Sequence, residues 1–300
     1  MATTEVTRTL PGQFEQTRKR RTLWSDAWRR LRRNKAALAG LIVAILLLLV
    51  AIFADVLAPY PYAEQHIQQV FRPIGTPGFP LGTDQLGRDL LSRLIYGARI
   101  SLGVALLAQF IVLLLGIPIG LIAGAGSQRV DNLLMRFTDI MYAFPDLLFV
   151  IIILSVLGRN VLFVPIAIAI VNWTTMARLV RGQVLSLKEK EFVEAARTVG
   201  ASQGQIMVRH LLPNALTPII VAVTLGVPQY ILLESVLSFI GIGAPPPMPS
   251  WGLMINDGFN SIFSYPHIVI LPGIAIALTM LSFTFLGDGL RDALDPRDSQ

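Results

Sequence analysis

Residues 36–54 read AALAGLIVAILLLLVAIFA and carry no charged side chain. A helix needs about 20 apolar residues to cross the roughly 30 Å hydrocarbon core of a bilayer, and this stretch has that length. It is also longer than the apolar core of a cleaved signal peptide, which is about 7–15 residues. We therefore predict an uncleaved first transmembrane helix, preceded by a basic tail over residues 1–35.

Five further apolar stretches follow, and together they predict an all-α membrane protein with six transmembrane helices. The stretch over residues 147–158 is too short to span a membrane alone, so we expect this third helix to extend back past Asp146 and Asp139. The fifth helix is expected to start near Thr217 and to continue past Glu234. The remaining stretches are residues 100–128, 160–177 and 258–287.

Composition supports a membrane protein and excludes other classes. Hydrophobic residues make up 53% of the chain and charged residues 15%, against about 25% charged residues in a typical soluble domain. The net charge of +6 does not indicate nucleic-acid binding, because the basic residues flank apolar runs and form no single patch. The sequence has no cysteine, only three separated histidines and no GxxxxGK(S/T) motif. We therefore expect no catalytic site, no metal site and no cofactor bound by this chain.

The distribution of positive charge predicts the orientation. Of the 25 Lys and Arg residues, twenty fall in the tail, the second and fourth loops and the C-terminus, whereas five fall on the opposite side. Cytoplasmic segments carry the excess of positive charge in membrane proteins. Both termini are therefore predicted to be cytoplasmic.

The first outer loop, residues 59–99, contains the sequence LGTDQLGRD at 81–89 and then apolar residues at helical spacing. Thr83 or Asp84 is suited to cap a helix at this point. We expect an amphipathic helix that lies along the outer interface before the second transmembrane helix begins. Packing on the bundle and a docking role are both compatible with it.

The fourth loop specifies a short helix between two turns. Gly200 is a favourable C-terminal stop, residues 202–205 have the pattern of a capping box, and Leu212-Pro213 closes the loop before the fifth helix. A two-turn helix is marginal in water, so its apolar face needs a partner, either the bundle or another protein. The residues of that face are Phe192, Ala195, Ala196 and Val199.

This loop resembles the EAA loop of bacterial ABC importer permeases. Glu194-Ala195-Ala196, Gly200 and Leu212-Pro213 follow its pattern, with His210 in place of the usual isoleucine. Three further stretches, residues 81–89, 234–252 and 286–297, are similar to the C-type permease of the dipeptide, oligopeptide and nickel importers.

The resemblance implies a type I ABC importer permease fold in the cytoplasmic membrane of a prokaryote. It implies a second, homologous permease, two ATP-binding subunits that hold ATP and Mg²⁺, and an external substrate-binding protein. We therefore expect these subunits and membrane lipid as partners, and no nucleic acid. Coupling to an ATPase is expected through Glu194, Ala195, Ala196, Gly200, Leu212 and Pro213.

Four parts are expected along the chain. Residues 1–35 form a basic cytoplasmic tail, and residues 36–99 form the first transmembrane helix and a long external loop with an interfacial helix. Residues 100–289 form a five-helix permease core, in which the coupling loop covers about residues 188–213. Residues 290–300 form a cytoplasmic C-terminus. Peptides are the commonest substrates that the resemblance implies, while nickel and glutathione importers have similar permeases. An ion-coupled secondary transporter is a further alternative, since it needs no ATPase.

Three acidic residues are predicted within the spans or at their ends: Asp139, Asp146 and Glu234. Charged groups inside a membrane are costly and usually face a cavity or a partner. We therefore regard them as candidates for the translocation pathway or for polar packing. Solvation at the membrane interface is the alternative explanation.

Overall fold

The structure is a computed structural model that describes residues 23–158 and 160–294. The predicted tail before residue 23, Arg159 and residues 295–300 lie outside these residues. The α-helices are α1 (Leu23–Arg33), α2 (Lys35–Ile52), α3 (Ala54–Leu57), α4 (Leu90–Ala125), α5 (Gln128–Tyr142), α6 (Asp146–Leu157), α7 (Phe163–Leu187), α8 (Glu191–Thr198), α9 (Gln203–Ile206), α10 (Leu212–Phe239), α11 (Trp251–Phe259) and α12 (His267–Leu294).

Within the described residues, five helices are long and apolar enough to cross a membrane. They are α2, α4, α7, α12 and the segment Gln203–Phe239, which includes α10. The bent pair of α5 and α6 gives a sixth span if the pair counts as one. The helical membrane bundle predicted from the apolar stretches is therefore confirmed.

Helix α4 corrects the prediction of a separate interfacial helix. The residues expected to form that helix are the first turns of one 36-residue helix. Its N-cap is Asp89 and neither Thr83 nor Asp84, because the Asp89 carboxylate accepts a hydrogen bond from the Ser92 N–H at 2.7 Å. Leu90 is buried in the bundle core. Packing on the bundle therefore explains the apolar spacing of this stretch.

The third span is broken, although a continuous helix was predicted. Helix α5 ends at Tyr142, α6 begins at Asp146, and the two helices differ in direction by 86°. Pro145 explains the break, because it has no N–H to continue a helix and disfavours helical geometry in the residue before it. Asp146 consequently stands at the start of a helix and not in the middle of one.

The segment after the coupling loop is also more continuous than predicted. Helix α9, a π-helical turn at Met207–Leu211 and α10 follow one another directly, so Leu212-Pro213 does not end the loop. A proline inside a helix clashes with the preceding turn and lacks a donor. The wider π-turn before Pro213 accommodates both effects.

Helices α4 and α7 pack closely along a row of glycines on α4. A Cβ atom on Gly120 would lie 2.5 Å from the carbonyl oxygen of Ala177, and Gly116 and Gly124 are in similarly close contact with α7. Small residues let membrane helices approach closely where van der Waals packing is the main attraction. This contact holds α7, which leads into the coupling loop, against the 36-residue helix α4.

Candidate functional site

The short helix predicted in the fourth loop is present as α8. Gly200 follows it with a φ of +87°, a left-handed conformation that glycine adopts without strain, so it ends the helix as predicted. The predicted capping box is also formed. Ser202 Oγ accepts a hydrogen bond from the Gln205 N–H at 3.4 Å, and Gln205 Oε1 accepts one from the Ser202 N–H at 2.9 Å. Gly200 therefore ends α8 and the capping box starts α9, so both defined turns lie on the C-terminal side of α8, whose own N-cap residue, Lys190, makes no side-chain cap.

Much of the predicted apolar face of α8 is exposed. Phe192 is 39% exposed, Val199 is 89% exposed, and Ala195 and Glu194 are exposed beside them. Val193, which is not part of the predicted face, is fully buried and anchors the helix to the bundle. Of the predicted face, Ala196 packs partly against the bundle core, whereas the bundle leaves Phe192, Ala195 and Val199 exposed. Exposed apolar surface of this kind is typical of a docking site.

Both ends of the coupling loop are tied to α4. Lys188 Nζ donates a hydrogen bond to the carbonyl oxygen of Gly124 at 3.4 Å, and Gln203 Nε2 donates one to that of Ala125 at 2.6 Å. These carbonyl groups belong to the last turn of α4, where no N–H group of the helix is available to bond them. These two hydrogen bonds attach the segments before and after α8 to the end of α4.

A cavity with a mixed polar and apolar lining lies between α4, α6, α7 and α10. Its wider part has a volume of about 410 Å³ and its narrower part about 70 Å³, and the two share the lining residues Asn172, Gln229 and Tyr230. Polar groups in membrane-spanning helices are costly toward lipid and usually line a pathway or meet a partner. The polar residues that line the two parts are Gln109, Asp146, Asn172, Thr175, Gln229 and Tyr230.

Comparison with known proteins identifies the family. The family model described as binding-protein-dependent transport system inner membrane component matches residues 116–299, and that of the N-terminal TM domain of oligopeptide transport permease C matches residues 22–73. The chain is 42% identical to the oligopeptide transport system permease protein OppC of Bacillus subtilis, over 92% of this chain and 90% of the relative. It is 45% identical to the dipeptide transport system permease protein DppC of Alkalihalophilus pseudofirmus, over 91% and 90%.

The chain belongs to this family of inner-membrane transport components. It is therefore a permease subunit of a bacterial ABC importer and not an enzyme, as expected. A solved structure of the MetNI methionine ABC transporter shares the fold, with a TM-score of 0.56 at 17% identity over 68% of this chain and 96% of that chain. The expected ABC importer permease fold is thereby confirmed.

Asp139 of this permease does not line the cavity. Its carboxylate is largely exposed and accepts a hydrogen bond from Arg178 at 2.7 Å. A second pair, between Arg181 and Asp131, has two hydrogen bonds of 2.5 and 2.7 Å. Both arginines are on α7 and both acids on α5, so the two pairs tie one half of the broken span to the helix that leads into the coupling loop.

Glu234 also lies away from the cavity, and interfacial solvation is the wrong explanation for it. The residue is 1% exposed, and its Oε1 accepts a hydrogen bond from Ser238 Oγ at 2.7 Å. The side chains that surround the carboxyl group come from α4, α10 and the N-cap of α11, and they include Ser101, Ser235 and Ser250. Glu234 is therefore a buried polar residue packed between these three elements, and its Oε2 has no hydrogen-bond partner among the described residues.

Sequence reasoning missed a buried charge cluster of Asp84, Arg88, Arg93 and Asp257. Arg88 binds Asp84 at 2.6 Å and Asp257 at 2.9 Å, and Arg93 binds the same Asp257 oxygen at 2.9 Å. The two arginine side chains are only 7% and 1% exposed. The cluster fixes the loop before α4 to α11. The concentration of charges around residue 88 was a visible signal, whereas the contribution of Asp257 depends on the fold.

Proposed function

We propose that this permease forms half of the translocation pathway of an ATP-driven importer for di- or oligopeptides. A second, homologous permease forms the other half, two ATP-binding subunits hydrolyse ATP with Mg²⁺, and an external binding protein delivers the substrate. The relatives described above are oligopeptide and dipeptide permeases, which supports a peptide substrate.

The exposed face of α8 carries the proposal for coupling to an ATP-binding subunit. Phe192, Ala195 and Val199 leave apolar surface uncovered, and the small side chain of Ala195 allows close approach of a partner. A groove that covers this face removes apolar surface from water, while the exposed Glu194 pairs with a basic residue at its edge. The buried side chain of Val193 anchors the helix, so that its displacement reaches the bundle.

The excess of Lys and Arg in the tail and in the loop that contains α8 supports a cytoplasmic location for both termini and for α8. The Arg88 cluster is then on the external side. Asp146 and the cavity residues are the proposed pathway lining in this arrangement, whereas Asp139 and Glu234 act as ion-pairing and packing residues.

Glu194→Lys tests the coupling role. The complete importer is reconstituted in proteoliposomes, and ATP-dependent uptake of radiolabelled trialanine is measured. We expect uptake to fall at least about tenfold, because placing like charges opposite each other costs several kcal/mol and about 1.4 kcal/mol is a factor of ten. The amount of inserted permease should not change. The matched control is Asp288→Lys, the same charge reversal at an exposed residue of α12, which should retain uptake.

Wild-type uptake by Glu194→Lys would refute the coupling role. Uptake by vesicles that lack the ATP-binding subunits would instead favour an ion-coupled secondary transporter. Mass spectrometry of the ligand that copurifies with the binding protein distinguishes peptides from nickel and from glutathione.

A further inference from the structure

Gln109 is a buried amide without a hydrogen-bond partner among the described residues. It lies in α4, is 4% exposed, and has no partner for either Oε1 or Nε2. Buried amide groups are normally hydrogen-bonded, since an unpaired one loses its interactions with water and gains none. Gly226 on α10 gives this amide its room, because a Cβ atom there would lie 2.4 Å from Gln109 Oε1.

The chemistry around Gln109 matches a peptide backbone. Gln109 lines the narrower part of the cavity together with Asn172, Thr175 and Gln229. An amide side chain both donates and accepts, which complements the N–H and C=O groups of a peptide bond. Every peptide has the same backbone, so contacts of this kind suit a carrier of peptides with different side chains.

Asp146 lines the wider part of the same cavity. A carboxylate at the start of a helix is stabilised by the helix dipole, and Asp146 stands at the start of α6. Its negative charge is therefore no evidence for a ligand by itself. The other residues that line this part are neutral, and Asp146 has no cationic partner among the described residues. Asp146 is exposed in an otherwise neutral lining, so the α-ammonium group of a peptide can pair with it there.

We propose that Gln109, Asn172 and Gln229 contact the backbone of a peptide in transit and that Asp146 receives its α-ammonium group. This inference rests on the proposed function as a peptide importer. The binding protein selects the substrate, and the permease then contacts the same peptide at a second site.

The absence of cysteine from the sequence allows a direct test, because a single cysteine in place of exposed Thr175 can be labelled on this chain without background. The complete importer is trapped with ATP and vanadate, with either trialanine-loaded or empty binding protein. Trialanine should slow the reaction of the Thr175→Cys variant with a hydrophilic maleimide by about threefold or more. The empty binding protein controls for the change of conformation.

Gln109→Leu should abolish this protection and slow trialanine uptake roughly 3- to 10-fold, the effect of losing about one hydrogen bond. Gln128→Leu, the same substitution at an exposed residue of α5 outside the cavity, should retain both. Leucine in place of an unpaired buried amide is neutral or favourable for folding, so unchanged thermal stability will exclude misfolding as the cause. Asp146→Asn should also slow uptake, and Asp146→Glu should restore part of it.

Full protection and wild-type uptake by Gln109→Leu would overturn this proposal, since water and not peptide would then satisfy the amide. A wild-type complex that shows no ATP-dependent peptide uptake would overturn the proposed function itself, which keeps the two failures distinct.

Discussion

Asp257→Asn tests the buried charge cluster at the outer side of the bundle. Asp257 on α11 accepts hydrogen bonds of 2.9 Å from both Arg88 and Arg93. Asparagine keeps the size of the side chain and removes its charge. Two nearly buried guanidinium groups then share Asp84, which lies 2.6 Å from Arg88 Nε and 3.6 Å from Arg93 Nε. The cluster is left with an uncompensated positive charge that water solvates poorly.

The expected loss of stability follows from this geometry. Removing one partner of a buried ion pair costs about 3–5 kcal/mol. The Asp257 side chain is 23% exposed and one carboxylate remains, so we expect the lower end, about 3 kcal/mol. One kcal/mol changes Tm by about 2–4 °C in a protein of 150–250 residues and by less in a longer chain. Asp257→Asn should therefore lower Tm by roughly 5–8 °C.

Thermal unfolding of the purified permease complex, followed by tryptophan fluorescence, measures this change. Trp251 is a suitable probe because it is buried in α11 and donates a hydrogen bond from Nε1 to the Leu94 carbonyl at 3.1 Å. The matched control is Asp55→Asn, which removes an exposed partner of Arg99 and should change Tm little. Equal shifts for the two variants would refute the reasoning. The double variant Asp257→Asn, Arg88→Gln gives a second test, because removing the stranded positive charge should restore part of the lost stability. A loss of stability equal to the sum of the losses of the two single variants would also refute the reasoning.

Two further substitutions test the packing of the bundle. Gly120→Leu should prevent the packing of α4 on α7, because its Cβ would meet the backbone of Ala177. The yield of monodisperse complex measures this effect. The control is Gly103→Leu, which has open space on the same helix and should assemble normally. Glu234→Ala should lower the free energy of unfolding by about 2–4 kcal/mol, because it leaves a cavity and serine hydroxyls without a partner. Glu234→Gln retains an acceptor, so its loss of stability should be clearly smaller. Equal losses for the two variants would contradict a packing role.

The positions of the spans were predictable because a bilayer requires long helices whose backbone groups are satisfied internally. Helix α2 begins at Lys35, one residue before the predicted stretch, and the turns around α8 follow from local chemistry at Gly200 and Ser202. The break before Asp146 was misjudged although Pro145 marks it. The length requirement led to one continuous span, whereas the fold bends two shorter helices at that point.

The cavity and the charge cluster were less accessible to sequence reasoning. Asp257 is 164 residues from Arg93, so only the packing of α11 against the start of α4 brings them together. Gln109 carries no charge, so a search for charged residues within the spans did not select it. The missing hydrogen bonds make it a candidate, and these are visible only in three dimensions.

The connection between the coupling loop and the cavity follows from the path of the chain. Helix α7 carries Asn172 and Thr175, then the arginines that bind α5, and ends at Leu187 just before α8. After α8, the continuous segment Gln203–Phe239 carries Gln229 to the same cavity. Two walls of the cavity are therefore direct continuations of the loop on either side of α8. We therefore expect a movement of α8 to change the spacing between Asn172 on α7 and Gln229 on α10.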